Sequence, residues 1–265
     1  MKWQKVLLTL LFALLVSSTA FAQTTTQPSD LVTLRDGQEK YPLGRHLEIL
    51  MDASGELTFQ EVSSAAYQDR FTPSQVDVPN FGFQKAVYWV RFRVRSQAEQ
   101  NRNWVLELNF INMHYVDLYL PSADGSSYLV KESGVLRPYK NRDIPYRRMA
   151  FNLDIPPGSE QNVYLRFQSE SSMTLPLILW SRSAFTNYML VDQLIFGIFF
   201  GAMIIMALYN LLLWYLIRQR PYLYLALFII SWLGSNLFYR GIIYRFVQIS
   251  SYKLATSPVP VFLGL

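Results

Sequence analysis

The sequence predicts an all-β domain, a jelly roll or β-sandwich, followed by an α-helical transmembrane region. Between residues 31 and 182, short segments alternate apolar and polar side chains. Residues 194–217 then run for 24 positions without a charged residue. Alternation is typical of half-buried strands and a long uncharged run is typical of membrane-spanning helices, so the two halves of the chain belong in different environments.

The first 22 residues have the three regions of a secretory signal peptide. Lys2 and Lys5 precede an apolar run at residues 6–16, and Ala20 and Ala22 form a small-x-small cleavage site. That run is about half of the ~20 residues that a spanning helix needs, which favours cleavage over an uncleaved anchor. We therefore expect export, with a polar linker at residues 23–30 preceding the β domain.

The pI of about 9.3 does not indicate nucleic-acid binding, because the excess positive charge lies in the leader and the membrane segments. The basic residues concerned are Lys2, Lys5, Arg218, Arg220, Arg240, Arg245 and Lys253. Without these seven, and without Asp192, 17 basic and 18 acidic residues remain. The β domain is therefore close to neutral, and nucleic acid is not an expected partner.

The chain has no cysteine and only two histidines, His46 and His114. Disulfides, thiolate metal sites and a cysteine nucleophile are therefore excluded, and a multi-histidine metal site lacks the residues it needs. We expect neither a metal nor a cofactor. The absence of cysteine fits a Gram-negative periplasm.

Alternation with a period of two defines the predicted strands. It is clearest at residues 86–94, 104–110, 149–155 and 163–167, and shorter runs with the same period lie at residues 57–62, 116–120, 127–131 and 175–180. Turn-forming residues separate these runs, as at 52–55, 122–125 and 156–159. About eight short strands favour a sandwich or jelly roll over a parallel sheet, and we predict one domain over residues 31–185 without a helix.

The membrane region is predicted at residues 190–265. Its first two helices span residues 194–217 and 222–239, and a cytoplasmic loop at residues 218–221 joins them. Arg218 and Arg220 place that loop on the cytoplasmic side by the positive-inside rule, which agrees with an exported β domain. Residues 258–265 begin a third apolar segment, so we expect this chain to be part of a longer protein with a larger helix bundle.

Several motifs resemble the bacterial seven-transmembrane receptors with diverse intracellular signalling modules. In the β domain they are Tyr88–Phe92, Asn103–Glu107, Asp117–Tyr119, Glu132–Gly134, Arg142 and Tyr164–Phe167. In the membrane region they are Gly197–Gly201, Ala207–Asn210 and Arg220–Tyr224. The resemblance implies an outer domain of that family's second extracellular type, which binds carbohydrate-like or other small ligands. It also implies an inner-membrane, multi-pass location and a cytoplasmic effector, a diguanylate cyclase or a histidine kinase, supplied in cis or in trans.

Four residues are predicted to bind the ligand: Trp89, Arg91, Arg142 and Arg166. Trp89 and Arg91 share one side of their strand, where an indole plate beside a guanidinium suits a sugar ring or a carboxylate. The alternative is that Trp89 fills the sandwich core and Arg91 pairs with an acid. Arg142 lies in a loop at residues 137–148 that contains five cations. Three roles are open for this loop: it forms the rim of a pocket for an anionic ligand, it contacts lipid headgroups, or it is simply solvated.

In the first spanning helix, Gly197 and Gly201 form a small-xxx-small face, for which packing within one bundle is favoured over dimerisation. Asn210 in the same helix is expected to hydrogen-bond to a neighbouring helix. Glu107 and Asp117 are the most plausible glycosidase carboxylates, but the alternation places both outward and nothing pairs them at a defined separation. We therefore predict no enzymatic activity in this part of the chain.

The predicted function is that of a membrane-anchored sensor. Two other functions remain open, namely a non-signalling anchored carbohydrate-binding module and a fragment of a membrane enzyme or transporter. The predicted partners are a small or carbohydrate-like ligand, the lipid bilayer and a cytoplasmic signalling module. A second copy of the chain, in a homodimer, is a further possible partner.

Overall fold

The computed structural model describes residues 31–122, 127–242 and 245. The predicted signal peptide, the linker at residues 23–30 and the apolar segment at residues 258–265 lie outside this part of the chain. The described strands are β1 (Leu31–Leu34), β2 (Lys40–Pro42), β3 (Glu48–Asp52), β4 (Thr72–Pro73), β5 (Asn80–Phe83), β6 (Val87–Ser96), β7 (Asn103–Leu108), β8 (Tyr115–Pro121), β9 (Tyr128–Ser133), β10 (Met149–Asp154), β11 (Glu160–Gln168), β12 (Ser172–Thr174) and β13 (Leu177–Ser181). The helices are α1 (Phe59–Ser63), α2 (Arg182–Ile217) and α3 (Arg220–Tyr239).

The strands form two main sheets of a β-sandwich, as the alternation predicts. One sheet has the order β4-β3-β6-β11-β8-β9, with β1 pairing in parallel to the end of β6. The other has the order β10-β7-β13-β2, and β5 pairs with β12 in a small separate ribbon. The remaining pairings are antiparallel, so alternate side chains of each strand point into the space between the sheets.

The main core lies between the two sheets and contains the inward residues of β6, β7, β8, β10 and β11. Tyr88, Val90 and Phe92 contribute from β6, as their alternation predicts. Two smaller apolar clusters cover the outer faces. One lies beneath α1 and contains Trp89 and Tyr164, and the other lies beneath the start of α2 and contains Trp180 and Phe185. Parts of both sheets are therefore covered on both faces.

Residues 57–62 do not form the predicted strand. They form the start of α1, with Thr58 as its N-cap. The Thr58 hydroxyl accepts a hydrogen bond from the Glu61 backbone N–H, and the Glu61 carboxylate accepts one from the Thr58 backbone N–H. This reciprocal capping box starts a helix, and it is the local signal that outweighs the apolar alternation of a run this short.

The alternation locates the long strands of the sandwich within one to three residues at most ends, as at β6, β10 and β11. It misses the short strands β1, β2 and β3, which lie before residue 57. These strands have only three to five residues, too few to show a clear period. These segments are extended because they pair with the longer strands β6 and β13, which is a tertiary contact that the local sequence does not show.

The two long helices form an antiparallel hairpin. The predicted first spanning segment at residues 194–217 is the later part of α2, which begins at Arg182 directly after β13. Arg218 ends α2 in the left-handed conformation with φ 61°, and Pro221 lies in the first turn of α3. Arg240, at the end of α3, lies over the ring of Phe196 near the outer part of α2. The Arg218–Arg220 turn is therefore at the end of the hairpin remote from the β domain.

Both helices expose apolar side chains that the protein itself does not cover. The most apolar windows of α2 and α3 have mean hydropathies of 2.2 and 1.4, and only 11% of each window is buried. Leu194, Ile198 and Ile205, for example, are each about 60% exposed or more. Surfaces of this kind need a bilayer or further helices around them, which agrees with the predicted membrane region.

Candidate functional site

An aromatic cleft on the outer face of the larger sheet brings two of the predicted ligand-binding residues together. The cleft has a volume of about 660 Å³, and Trp89 and Arg166 both line it. Its other residues are Leu57, Thr58, Phe59, Gln60, Ser63, Tyr119, Ser127, Tyr128 and Val130. This volume lies within the usual range of small-ligand sites, about 300–1,000 Å³.

Helix α1 and strands β6, β8 and β9 position the rings of the cleft. The capping box at Thr58 starts α1 so that Phe59 lies flat against Tyr119, with ring centroids 4.4 Å apart and planes 3° apart. Tyr128 meets Phe59 edge-on at 4.6 Å, and the Trp89 ring lies 5.6 Å from that of Tyr119. The result is a continuous aromatic wall, which can stack on the apolar face of a sugar or another flat ligand.

Polar groups at the cleft include one buried donor. The indole Nε1 of Trp89 is buried and has no hydrogen-bond partner among the described residues. Arg166 lies on the other side, with Nη1 3.2 Å from Gln168 Oε1 and 3.7 Å from Asp117 Oδ2. Burial raises the pKa of Tyr119 and of Tyr128, so both phenols stay protonated and can donate at neutral pH. The cleft therefore offers donors beside its rings.

Arg91 points to the same side of β6 as Trp89, as predicted, but it is engaged within the protein. Its Nε donates to Glu48 Oε2 at 2.6 Å, and its Nη1 and Nη2 donate to Gln68. The guanidinium also lies 4.1 Å from the centre of the Phe71 ring. Pairing with an acid was the alternative interpretation of Arg91, whereas Trp89 fills the cluster under α1 rather than the sandwich core.

Arg142 is buried within its own loop rather than exposed at a rim. Its Nη1 donates to the backbone carbonyls of Tyr146 at 2.6 Å and of Arg147 at 3.0 Å, and its guanidinium lies over the Tyr139 ring. These contacts fix the path of residues 142–147. The structure therefore assigns Arg142 an ordering contact with the loop, and it is not among the residues lining the aromatic cleft.

A second cluster of charges connects the β domain to α2, and we call it the junction network: Glu107, Arg147, Arg148 and Asp192. Arg148 Nη1 donates to Glu107 Oε1 at 2.6 Å and Arg148 Nη2 to Asp192 Oδ1 at 3.4 Å. Arg147 holds Asp192 through two bonds, from Nε at 2.8 Å and from Nη2 at 2.7 Å. Two carboxylates and two guanidiniums thus neutralise one another at the base of the domain.

Aromatic residues surround the junction network and complete its hydrogen bonds. Trp180 Nε1 donates to the second Glu107 oxygen at 2.9 Å, and the Trp180 ring stacks on Tyr188 at 5.1 Å. Tyr146 donates to Asp192 Oδ2 at 2.8 Å, and burial raises its pKa far above the usual range, so the phenol keeps its proton. Because Tyr188 and Asp192 belong to α2, the first turns of this helix are joined to the sheet.

Replacing Asp192 by asparagine is expected to loosen this connection. The substitution keeps the side-chain shape but removes the charge that Arg147 contacts twice, and hydrogen bonds to charged groups contribute about 1.5–3 kcal/mol. Amide hydrogen exchange of residues 184–193 is then expected to accelerate by roughly 10- to 100-fold, measured by mass spectrometry on the full chain in detergent. Asp154→Asn, at an exposed pair with Arg102, is the control and should leave these amides unchanged. Unchanged exchange in Asp192→Asn would contradict the coupling.

The helix residues that the sequence singled out lie as follows. Asn210 is 7% exposed, and its Nδ2 donates to the Met206 carbonyl one turn earlier, so the described bond stays within α2 rather than crossing to another helix. A Cβ added at Gly197 or at Gly201 would meet nothing within 4 Å among the described residues. Packing at these two glycines therefore stays a prediction, as does the cytoplasmic location of Arg218 and Arg220.

Glu107 and Asp117 lie on the outer faces of their sheets, as the alternation predicts, but neither carboxylate is exposed to solvent. Glu107 is 0% exposed and Asp117 is 6% exposed, because α2 and the loop at residues 137–148 cover the faces that a bare sandwich would leave open. The two carboxylates also lie in different sheets, Glu107 in β7 and Asp117 in β8. Asp117 pairs with Arg137 rather than with a second acid.

Sequence reasoning missed the junction network as a unit. Its acids and bases are more than 40 residues apart in the sequence, as Glu107 is from Arg148 and Arg148 is from Asp192. One signal was available, since Asp192 is the acid that stands just before the first uncharged run. An acid at a membrane boundary requires a basic partner, and the cationic loop at residues 137–148 contains the candidates.

Comparisons with known proteins identify two family models. The model for "7TMR-DISM extracellular 2" matches residues 44–181, and the model for "7TM diverse intracellular signalling" matches residues 192–265. The first therefore covers most of the β domain, including every residue lining the aromatic cleft. No curated protein matches this chain.

Three solved structures show weak likeness to it. An insecticidal crystal protein Cry2Aa is 12% identical with a TM-score of 0.22 and covers 40% of this chain, which spans 18% of that protein. A promiscuous carbohydrate-binding module of the β-sandwich superfamily is 11% identical, with a TM-score of 0.20 over 39% of this chain and 50% of its own. A GH31 alpha-xylosidase of Xanthomonas citri is 10% identical, with a TM-score of 0.23 over 51% of this chain and 16% of its own. At such scores none of them bears on function.

Proposed function

We propose that this protein senses a small ligand in the aromatic cleft and transmits the binding of that ligand through α2. The premise is that the chain belongs to the 7TMR-DISM family of membrane receptors with an extracellular N-terminal domain. The family membership is shown by the two matched models. The ligand, its class and the path of the signal are the proposal. In the full protein the signal would pass through further helices to a cytoplasmic module.

One observation carries the proposal: α2 runs without a break from the β domain into the apolar segment. It begins at Arg182 on the edge of β13 and ends at Ile217, and its first turns pack into a cluster with Tyr146 and Trp180. A helix joined to the domain by the junction network transmits a displacement of the domain, whereas a flexible linker would absorb it. This favours a sensor over a domain that is only tethered.

The cleft favours a neutral, ring-shaped ligand such as a sugar. Its wall consists of stacked rings, and its donors are the phenols of Tyr119 and Tyr128 and the Arg166 guanidinium. A sugar presents an apolar face for stacking and several hydroxyls that accept hydrogen bonds. The Arg166 guanidinium also faces Asp117 at 3.7 Å, which reduces the local positive charge. A strongly anionic ligand would therefore gain less here.

The cleft can be tested with a panel of mono- and disaccharides on the full chain in detergent. A sugar that binds is expected to raise the melting temperature, since a ligand at 100 times its Kd adds about 2.7 kcal/mol of stability. Binding is also expected to change tryptophan fluorescence, because Trp89 lines the cleft. Tyr128→Ala removes one ring and should weaken binding by about 1 kcal/mol, roughly fivefold. Arg166→Gln removes charged donors and should weaken it by about tenfold.

Arg102→Gln is the control, because Arg102 pairs with Asp154 on an exposed edge away from the cleft. Equal binding by all three variants would place the ligand elsewhere, and no response to any sugar would reject the ligand class. Signalling has its own readout: binding should change the hydrogen exchange of residues 184–193. A sugar that binds and leaves those amides unchanged would support the anchored binding module instead.

A further inference from the structure

A separate cavity of about 340 Å³ lies where the β domain meets the helices. Its walls come from the loop at residues 139–147, from α2 around Phe196 and Gly197, and from Gly241, Ile242 and Arg245. Because Phe196 and Gly197 lie near the start of the uncharged run of α2, the cavity lies at the level of the membrane–water interface on the side of the β domain. It shares no residue with the aromatic cleft.

The cavity is amphipathic along the direction of the bilayer normal. Phe196, Gly197 and Phe200 of α2 form its apolar side, together with Ile242. The side nearer the β domain carries Tyr139, Tyr146, Arg147 and Asp192, and Arg245 lines the third wall. An amphiphile with a polar head and an apolar tail would match this division, head toward the domain and tail toward the helices.

The charges around this cavity leave a positive surplus. Its one acidic wall residue, Asp192, is held by two bonds from Arg147 and contacts Arg148, and Arg148 in turn pairs with Glu107. Arg240 is not a wall residue, but its guanidinium lies 4.8 Å from the centre of the ring of Phe196, which lines the cavity. Neither Arg240 nor Arg245 pairs with an acid in the described part of the chain. Two cations are therefore left to contact an anion.

We infer that this cavity binds the phosphate-bearing headgroup of an anionic outer-leaflet phospholipid, whose acyl chains lie along Phe196 and Phe200 of α2. Arg240 and Arg245 contact the phosphate, and Tyr139 closes the cavity on the domain side. The bound lipid touches the same loop and helix that the junction network joins. Its occupancy therefore links membrane composition to the packing of the outer domain on α2. This site is independent of the proposed sugar cleft.

Gly197 provides a clean way to fill the cavity. A Cβ added there meets nothing within 4 Å, and because Gly197 lines the cavity, a leucine side chain at this position takes up space that the lipid needs. Gly201 lies one turn further along α2, is equally open and does not line the cavity. Gly201→Leu is thus a matched control with the same change in size and helix propensity.

The test uses the full chain in nanodiscs of mixed phosphatidylglycerol and phosphatidylcholine, followed by native mass spectrometry of the released protein. The wild type is expected to retain phosphatidylglycerol in preference to phosphatidylcholine. Each of Arg240→Gln and Arg245→Gln should lower that retention roughly fivefold, since a cation near an anionic surface contributes about 1 kcal/mol. Gly197→Leu should abolish it, while Gly201→Leu and Arg220→Gln at the opposite end should retain wild-type binding.

Three results would overturn the inference. Equal retention by wild type and the double variant Arg240→Gln/Arg245→Gln would remove the role of the cations. Wild-type retention in Gly197→Leu would remove the cavity. Binding of soluble glycerol phosphate to the lipid-free chain, competing fully with phosphatidylglycerol, would identify a free phosphate ester as the occupant. Tryptophan fluorescence shows whether the β domain of each variant is folded. If the arginine variants are unfolded, the lipid retention of Gly197→Leu alone decides whether the inference holds.

Discussion

Glu107→Ala is expected to lower the free energy of unfolding of the β domain by about 3–5 kcal/mol, because it removes the nearer of the two carboxylates that a buried guanidinium contacts. Glu107 is fully buried, and Arg148 Nη1 contacts it at 2.6 Å. The substitution also removes the acceptor of the Trp180 indole, so two buried donors lose the same acceptor at once. Single substitutions seldom cost this much.

The measurement is urea unfolding of the full chain in detergent, followed by tryptophan fluorescence. Glu107→Gln is expected to fall between wild type and Glu107→Ala, since the amide oxygen still accepts one hydrogen bond. Glu160→Ala is the surface control: its carboxylate pairs with Arg95 and is 34% exposed, and losing such a pair costs up to about 1 kcal/mol. If Glu107→Ala were as stable as Glu160→Ala, the junction network would contribute little to the fold.

Gly134→Ala is expected to destabilise the β domain by more than about 4 kcal/mol, the range reached by few single substitutions. Gly134 has φ +142°, which side chains rarely allow, and an added Cβ would lie 2.0 Å from the His114 carbonyl oxygen. The added Cβ would collide with backbone atoms rather than with a movable side chain. The Val135 N–H donates to the Met113 carbonyl at 2.9 Å, and this hydrogen bond holds the backbone around Gly134 against the backbone around His114. Neither segment can move away without breaking that bond.

Gly158→Ala is the matched control, because Gly158 also has a positive φ, of 73°, yet nothing lies within 4 Å of an added Cβ. It should cost about 1 kcal/mol, the backbone penalty alone. The two variants are compared by the yield of folded protein and by urea midpoint in the same detergent. Similar midpoints for Gly134→Ala and Gly158→Ala would show that the contact at His114 relaxes freely.

The sandwich and the long helices could be predicted from the sequence because each has a strong period of its own. Strand β6 alternates apolar and charged residues from Val90 to Arg95, and α2 carries 24 uncharged residues in a row. Local chemistry also predicted the turn at Gly158 and the break at Arg218 and Pro221. These features depend on neighbours in the sequence, which is why they can be read without a structure.

The burial of charged residues could not be predicted in the same way. Alternation places Glu107 on the outer face of its sheet because it records which residues share a face, but it carries no information about what packs on that face. Here α2 covers one outer face and α1 covers the other. The burial of Arg142 could not be predicted for a related reason, since its partners are backbone carbonyls four and five residues away that come within reach only once the loop has turned.

The length of α2 determines how far its end at Ile217 moves when the β domain tilts its other end. Its 36 residues extend for about 54 Å, so a tilt of about 5° at the Arg182 end moves the Ile217 end sideways by roughly 5 Å, close to the pitch of one helical turn. The stiff rod thus acts as a lever, and sub-ångström adjustments under the sheet become displacements large enough to repack a neighbouring helix on the far side of the bilayer.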